Sequence, residues 1–244
     1  MRAILVLSVV VLLVVNGCKK HQIIEPIHPT NGKTTAIFNP NHTYGTLTDQ
    51  DGNIYKTIRI GTQTWMAENL RVTHYRNMEA IPDFNENTTW RNLYTGAYCN
   101  NTITNNNDTI ATYGRLYNWY AVGDSRNISP VGWHVPSNAE WMILINYLGE
   151  GTAAALKLKE SGTKHWKNPL FTYSNNESGF TALPGGCRTE VGLYNVGDYG
   201  LWWTSTTSLT NMAWYREIFY DEFKSVFGNY TDAFLGLSVR CVQD

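Results

Sequence analysis

Pro136-Ser-Asn-Ala-Glu140-Trp-Met-Ile-Leu-Ile145-Asn-Tyr-Leu-Gly149 is the segment from which the fold can be worked outward. Ser137 and Glu140 form a Ser-x-x-Glu capping box, in which each side chain serves the other residue's free backbone amide. Trp141, Leu144, Ile145 and Leu148 follow at helical spacing, and Gly149 supplies a left-handed stop. The spacing predicts a helix of about three turns with one face in a core. A second, shorter helix is expected from Thr152 to Glu160, ended by Gly162.

On both sides of this helical centre the period changes from 3.6 to 2. Upstream, a strand beginning at Thr46, a turn at Asp51-Gly52 and a strand through Ile58 and Ile60 to Gly61 read as a hairpin. Asp49, Asp51 and Asn53 resemble the start of a calcium loop, but Gly52 stands fourth where such a loop needs its glycine sixth, so a turn is expected. Downstream, strands are expected at Phe180–Leu183, Leu201–Ser205, Ala213–Tyr220, Ser225–Phe227 and Gly236–Val242. Central helices between runs of strands predict an α+β domain, spanning residues 45–244.

The N-terminus reads as an export signal. Arg2 precedes an apolar run from Ala3 to Val15, which is too short to cross a bilayer and is followed by Asn16-Gly17-Cys18-Lys19-Lys20. Val15-Asn16-Gly17-Cys18 resembles the lipobox of bacterial lipoproteins, which implies removal of residues 1–17 and lipidation of Cys18. The acyl chains would tether the protein to a lipid bilayer, each buried methylene adding about 0.8 kcal/mol. Residues 18–44, with Pro26, Pro29 and Pro40 among Asn, Thr and His and no sustained period, read as a flexible linker. The expected location is the cell envelope, in the outer membrane, with the domain periplasmic or surface-exposed.

Composition excludes some partners. Charged residues make up 16% and the formal net charge is −1, which gives no electrostatic reason to bind nucleic acid. Aromatics reach 13%, so the question is which rings build a core and which remain outside. Three cysteines follow Cys18: Cys99, Cys187 and Cys241. In an oxidising compartment they permit one bridge, and Cys187 with Cys241 is the expectation, because Gly185-Gly186 lets the backbone come close; three separately buried thiols are the alternative.

Six blocks in order carry a resemblance: Gly61–Leu70, Tyr113–Val122, Gly132–Ser137 with Glu140-Trp141, Gly179–Gly186, Trp202–Ser205 and Val239–Val242. Together they resemble the Fibrobacter succinogenes major paralogous domain, over roughly Gly45 to Asp244. The resemblance implies a C-type-lectin-like fold, related also to formylglycine-generating enzymes, with a twisted antiparallel sheet, two short helices and long irregular loops. It implies exported or surface lipoproteins of the Bacteroidetes and Fibrobacteres, and no established activity. Many members have a cysteine just before the Pro-x-Gly-Trp block, where this chain has Ser129, so a Cys187–Cys241 bridge would be a substitute rather than a family feature.

No reaction centre is legible. His74, His134 and His165 form no i, i+4 pair, and His134 in its Gly-Trp-His-Val-Pro turn reads as a structural hydrogen bonder. A Gly-x-Ser-x-Gly elbow and a phosphate loop are absent. The close cysteine pair of formylglycine-generating enzymes and the calcium-sugar motifs of C-type lectins are not reproduced, and Asn105 to Asp108 read as a polar loop. No catalytic residue, metal or cofactor is therefore expected. Strand alternation predicts that one of Trp202 and Trp203, and one of Trp214 and Tyr215, faces outward. Trp119, Tyr120, Trp203, Tyr215 and Arg216 are the expected contact residues of a non-enzymatic module for glycan or a surface protein, with a structural role in an envelope assembly as the alternative.

Overall fold

The computed structural model describes residues 28–84, 87–101, 106–167, 174–221 and 226–244. In chain order the strands are β1 (Gly45–Thr48), β2 (Ile54–Ile60), β3 (Gln63–Met66), β4 (Tyr98–Asn100), β5 (Arg115–Tyr117), β6 (Trp133–His134), β7 (Cys187–Thr189), β8 (Gly192–Tyr194), β9 (Tyr199–Thr207), β10 (Met212–Phe219), β11 (Phe227–Asp232) and β12 (Val242–Gln243). The helices are α1 (Asn87–Trp90), α2 (Asn107–Tyr113), α3 (Trp119–Val122), α4 (Asn138–Leu148) and α5 (Gly151–Leu158). Short antiparallel strands thus dominate a mixed helix-and-sheet domain. The larger sheet runs β1-β2-β3-β12-β6, which joins the first strands to the last, and a second runs β11-β10-β9.

The central helix forms as its sequence predicts. Ser137 accepts from the Glu140 amide, Glu140 accepts from the Ser137 amide at 2.8 Å, and Gly149 ends α4 in the left-handed region at φ 101°. His134, on β6, holds this junction from outside, 2.7 Å from Glu140 through Nε2 and 2.7 Å from Asp244 through Nδ1. Burial works against the imidazolium, but the two carboxylates outweigh it and raise the His134 pKa. The Asp51-Gly52 hairpin is present too. Asp49 accepts from the Asp51 and Asn53 amides, both at 2.9 Å, and from the Tyr55 hydroxyl, so its oxygens serve the turn.

The expectation that one of Trp202 and Trp203 faces outward is corrected, because both are fully buried. They do point to opposite faces of β9, but each face meets a core. Trp202 packs with Trp65, Trp141, Phe180 and Ile218 beneath α4 and α5, whereas Trp203 packs with Leu201, Leu237, Val239 and Cys241 on the other side. Each indole N–H is satisfied, Trp202 by Asn69 Oδ1 at 2.9 Å and Trp203 by the Tyr117 carbonyl at 2.8 Å. The β9–β10 pair is therefore a central wall between two cores.

Other expectations are corrected. The linker does not extend to Tyr44: from His28 onward the chain lies against the domain. Thr30 is buried and donates to Asn53, Thr35 bonds Thr112 and His165, the Ile37 amide donates to buried Glu160, and His42 reaches the Glu177 carbonyl. Polar side chains make these contacts, so apolar periodicity could not reveal them. Cys99, Cys187 and Cys241 are free and buried, in the arrangement of three separate thiols. Cys187 sits on the β7–β8 hairpin, while Cys241 adjoins β12 in the large sheet with its amide against Met66 Sδ. Burial pushes all three thiols up, Cys187 to about 11 and the others to about 12.

Phe180–Leu183 contributes a bridge of Ala182 to Lys159 rather than a strand, and the carbonyls of Phe180 and Thr181 instead accept from the buried Arg240 guanidinium. The strand expected at Ser225–Phe227 begins outside the described residues; its described part is Phe227–Asp232, the third strand of the second sheet, and Gly236–Val242 enters the sheets through single bridges and short β12. Where two helices are expected, the described residues form five. Asn106, expected in a polar loop, caps α2 by accepting from the Asp108 and Thr109 amides; Asn105 lies outside the described residues, as do the leader and Cys18. None of the described helices is long and apolar enough to cross a membrane.

Candidate functional site

A cleft of about 260 Å³ opens where four segments meet, lined by Arg91, Asn92 and Tyr94 after α1, Tyr120 on α3, Asn211 in the β9–β10 turn, and Asp232 and Phe234 at the end of β11. Asn118 assembles it. Its side chain caps α3 by accepting from the Ala121 amide at 3.1 Å, accepts from the Ala97 amide at 3.0 Å and donates to the Thr95 carbonyl at 2.8 Å. One buried amide thus ties the Tyr94 loop to the helix that carries Tyr120. From the other side, the Trp119 amide donates to the Ala233 carbonyl and the Ala233 amide to the Asn211 carbonyl, both at 2.8 Å. Asn211 takes the left-handed conformation, φ 59°, that asparagine tolerates in a turn.

Trp119 and Tyr120 diverge because consecutive helical residues point about 100° apart. Trp119 turns inward, donating Nε1 to the Thr204 carbonyl at 3.1 Å, and the close approach of its ring to Gly123 leaves no room for a side chain there. Tyr120 turns into the cleft, its ring 6.2 Å from that of Tyr94 at 58°. Tyr94 is 72% exposed, so one face of its ring is open to solvent beside the cleft. Burial, then Tyr94 and Asp232, raise the Tyr120 pKa, so its hydroxyl stays protonated near neutrality and can donate. The amides of Asn92 and Asn211 donate and accept, Asp232 accepts and Arg91 donates. The cleft therefore offers ring faces bordered by exposed hydrogen-bonding groups of both kinds.

Of the residues singled out from sequence, Tyr120 alone lines this cleft. Trp119 is its half-buried anchor. Tyr215 is half-buried and packs edge-on against Trp203 at 6.5 Å, and burial together with Glu217 pushes its phenol up to about 12. Trp203 and Arg216 are buried, which corrects their reading as surface contacts: Arg216 lies under Gly228 and donates to Asn138 at the start of α4. Among the described residues no group of three His, Cys, Asp or Glu is placed to hold a metal ion.

Comparison with known proteins bears on this division. The model of the Fibrobacter succinogenes major domain matches residues 58–243. The chain belongs to this family. No curated protein and no solved structure matches it. The motif blocks of this Fibrobacter succinogenes major domain are largely scaffold: Trp65, Trp133, Trp141, Trp202, Trp203 and Arg240 are all buried. The cleft comes mostly from chain between those blocks, since Arg91, Asn92, Tyr94, Asn211, Asp232 and Phe234 fall outside them. Binding groups on loops over a fixed scaffold are the usual division of labour, and a reading centred on motifs looks past them.

Proposed function

We propose that this protein is an exported lipoprotein, anchored through Cys18 in the outer membrane, whose domain is a non-enzymatic recognition module that binds glycan in the Tyr94–Tyr120 cleft. The carrying observation is the pair of tyrosine rings bordered by Asn92, Asn211, Asp232 and Arg91. Apolar ring faces stack on the C–H face of a sugar while edge groups exchange hydrogen bonds with its hydroxyls. The C-type-lectin-like relation implied by the family resemblance belongs to the same proposal. Recognition here runs through side chains alone, without calcium.

A surface protein as ligand, or a place in an envelope assembly, is the second reading. It is favoured by the outer face of α4, where Met142, Ile143 and Tyr147 are exposed, Tyr147 by 65%. Two measurements test the anchor and the ligand in turn. Metabolic labelling with a radioactive fatty acid is expected to mark the native chain and to fail for Cys18→Ser; label on both would remove the anchor. The unlipidated chain from Lys19 keeps every contact described above and is expected to bind particular polysaccharides on a glycan array, equally with calcium and with chelator. No binding to any glycan would shift the assignment to a protein partner.

A further inference from the structure

The Tyr94–Tyr120 cleft holds two charges that the fold leaves free. Every other described arginine gives its guanidinium to a carboxylate, a carbonyl, an amide side chain or a ring. Aspartates elsewhere likewise accept hydrogen bonds or form ion pairs within the chain. Arg91 has no partner among the described residues, and Asp232 acts only through its charge on Tyr120. The two do not pair with each other, yet both are exposed and line the same cleft. Their backbones are nevertheless fixed. Trp90, next to Arg91, is fully buried under the Arg188 guanidinium, and the Asn92 and Leu93 amides donate back to the Thr89 and Trp90 carbonyls at 3.1 and 3.2 Å. Asp232 stands opposite Met212 in the β10–β11 register, and its carbonyl accepts from the Leu235 amide at 3.0 Å.

We infer, resting on the glycan reading of this cleft, that it selects an acidic glycan in which a uronic acid adjoins a neutral sugar. A free cation and a free anion in one cleft are complementary to a ligand that brings a carboxylate to the first and hydrogen-bond donors to the second. The uronate carboxylate pairs with Arg91, whose planar guanidinium fork matches two carboxylate oxygens. Hydroxyls of the neutral neighbour donate to Asp232, which as a carboxylate only accepts. The Tyr94 and Tyr120 rings take the C–H faces of the sugars between the two charges.

Asp232 is what makes the neighbour matter. A wholly neutral glycan leaves Arg91 without a counter-charge, whereas a homopolymer of uronic acid sets a second carboxylate against Asp232 with no further cation lining the cleft to relieve it. A glycan that alternates acidic and neutral sugars satisfies both. Arg91 and Asp232 are exposed, so salt screens their part of the binding, and they decide which glycan is chosen more than how tightly it is held.

Hyaluronan, unsulfated chondroitin and gellan each set a uronic acid beside an uncharged sugar, and they serve as probes together with their carboxyl-reduced forms; polygalacturonate is the homopolymer. Titration of the unlipidated chain from Lys19 at low ionic strength is expected to show an alternating polymer bound about tenfold more tightly than its carboxyl-reduced form, a margin that shrinks as salt rises. Arg91→Gln should erase the margin and leave binding of the reduced form unchanged. Arg59→Gln, which removes the same charge outside the cleft, should keep it. Asp232→Asn should raise binding of polygalacturonate above that of the native chain. Equal affinity for acidic and reduced polymers, or a margin that survives in Arg91→Gln, would overturn the inference and leave the glycan reading standing, because the reduced polymers still bind. Binding to no polymer, acidic or neutral, would remove both.

Discussion

Trp203→Ala is the sharpest perturbation of the architecture. Trp203 has no solvent exposure, it abuts Tyr215, and its Nε1 satisfies the Tyr117 carbonyl at 2.8 Å. Truncating a buried aromatic to alanine costs about 3–5 kcal/mol, while the Tyr117 carbonyl keeps its second donor, the Leu237 amide at 3.0 Å. For a domain of this size each kcal/mol lowers Tm by about 2–4 °C, so a fall of about 6–20 °C is expected. Urea unfolding should show the midpoint reduced at unchanged slope. Trp202→Ala should cost a similar amount through the opposite core. A change in Trp203→Ala within about 0.5 kcal/mol, the range of surface substitutions, would refute a wall buried on both faces.

The other predictions concern protonation and thiols. The raised His134 pKa stabilises the fold fully below the unfolded histidine value of about 6.5 and is lost as pH rises through the folded value. At Glu140, burial is outweighed by bonds to Ser137 and His134, and its lowered pKa contributes above the unfolded value and is lost as pH falls through the folded one. The helix junction is therefore held best in the mildly acidic window between them. Tm should decline above about pH 6.5 by a share worth well under about 1 kcal/mol, since the group is partly exposed, and His134→Gln should flatten that decline; an unchanged slope would remove the role. Cys99, Cys187 and Cys241, each buried with a raised pKa, should resist a thiol reagent in the native mature chain and react together on denaturation. Rapid native labelling of any one would contradict its placement.

The fold was legible where signals are local. Ser137, Glu140 and Gly149 mark both ends of α4 within one segment, and Asp51-Gly52 marks its hairpin, because caps and turns are satisfied by near neighbours. Alternation correctly sent Trp202 and Trp203 to opposite faces, but whether a face is covered depends on α4 and on the return of residues 237–241, distant in sequence. The Phe180–Leu183 segment looked like a strand because it is apolar, and it is buried, yet its carbonyls go to Arg240, a partner no period encodes. The docked segment from His28 was hidden for a similar reason, since it is held by scattered polar bonds and by two isolated rings, Phe38 and Tyr44, that form no period. In the cleft, Tyr120 was legible only as one of five expected contact residues, and its neighbour Trp119, expected beside it, turns inward instead. Tyr94, Asn211 and Asp232 carried no signal, since loops from three parts of the chain bring them together.

On the proposed function, ligand meets the protein at Tyr94 and Tyr120, not at the motif tryptophans. Titration calorimetry with the best array glycan tests it on the native chain, Tyr94→Ala, Tyr120→Ala and Trp203→Phe. Losing one stacked ring should weaken binding about tenfold, close to 1.4 kcal/mol, in either tyrosine variant, while folded Trp203→Phe binds as the native chain does. Native affinity in both tyrosine variants, or loss confined to Trp203→Phe, would contradict the assignment of the cleft.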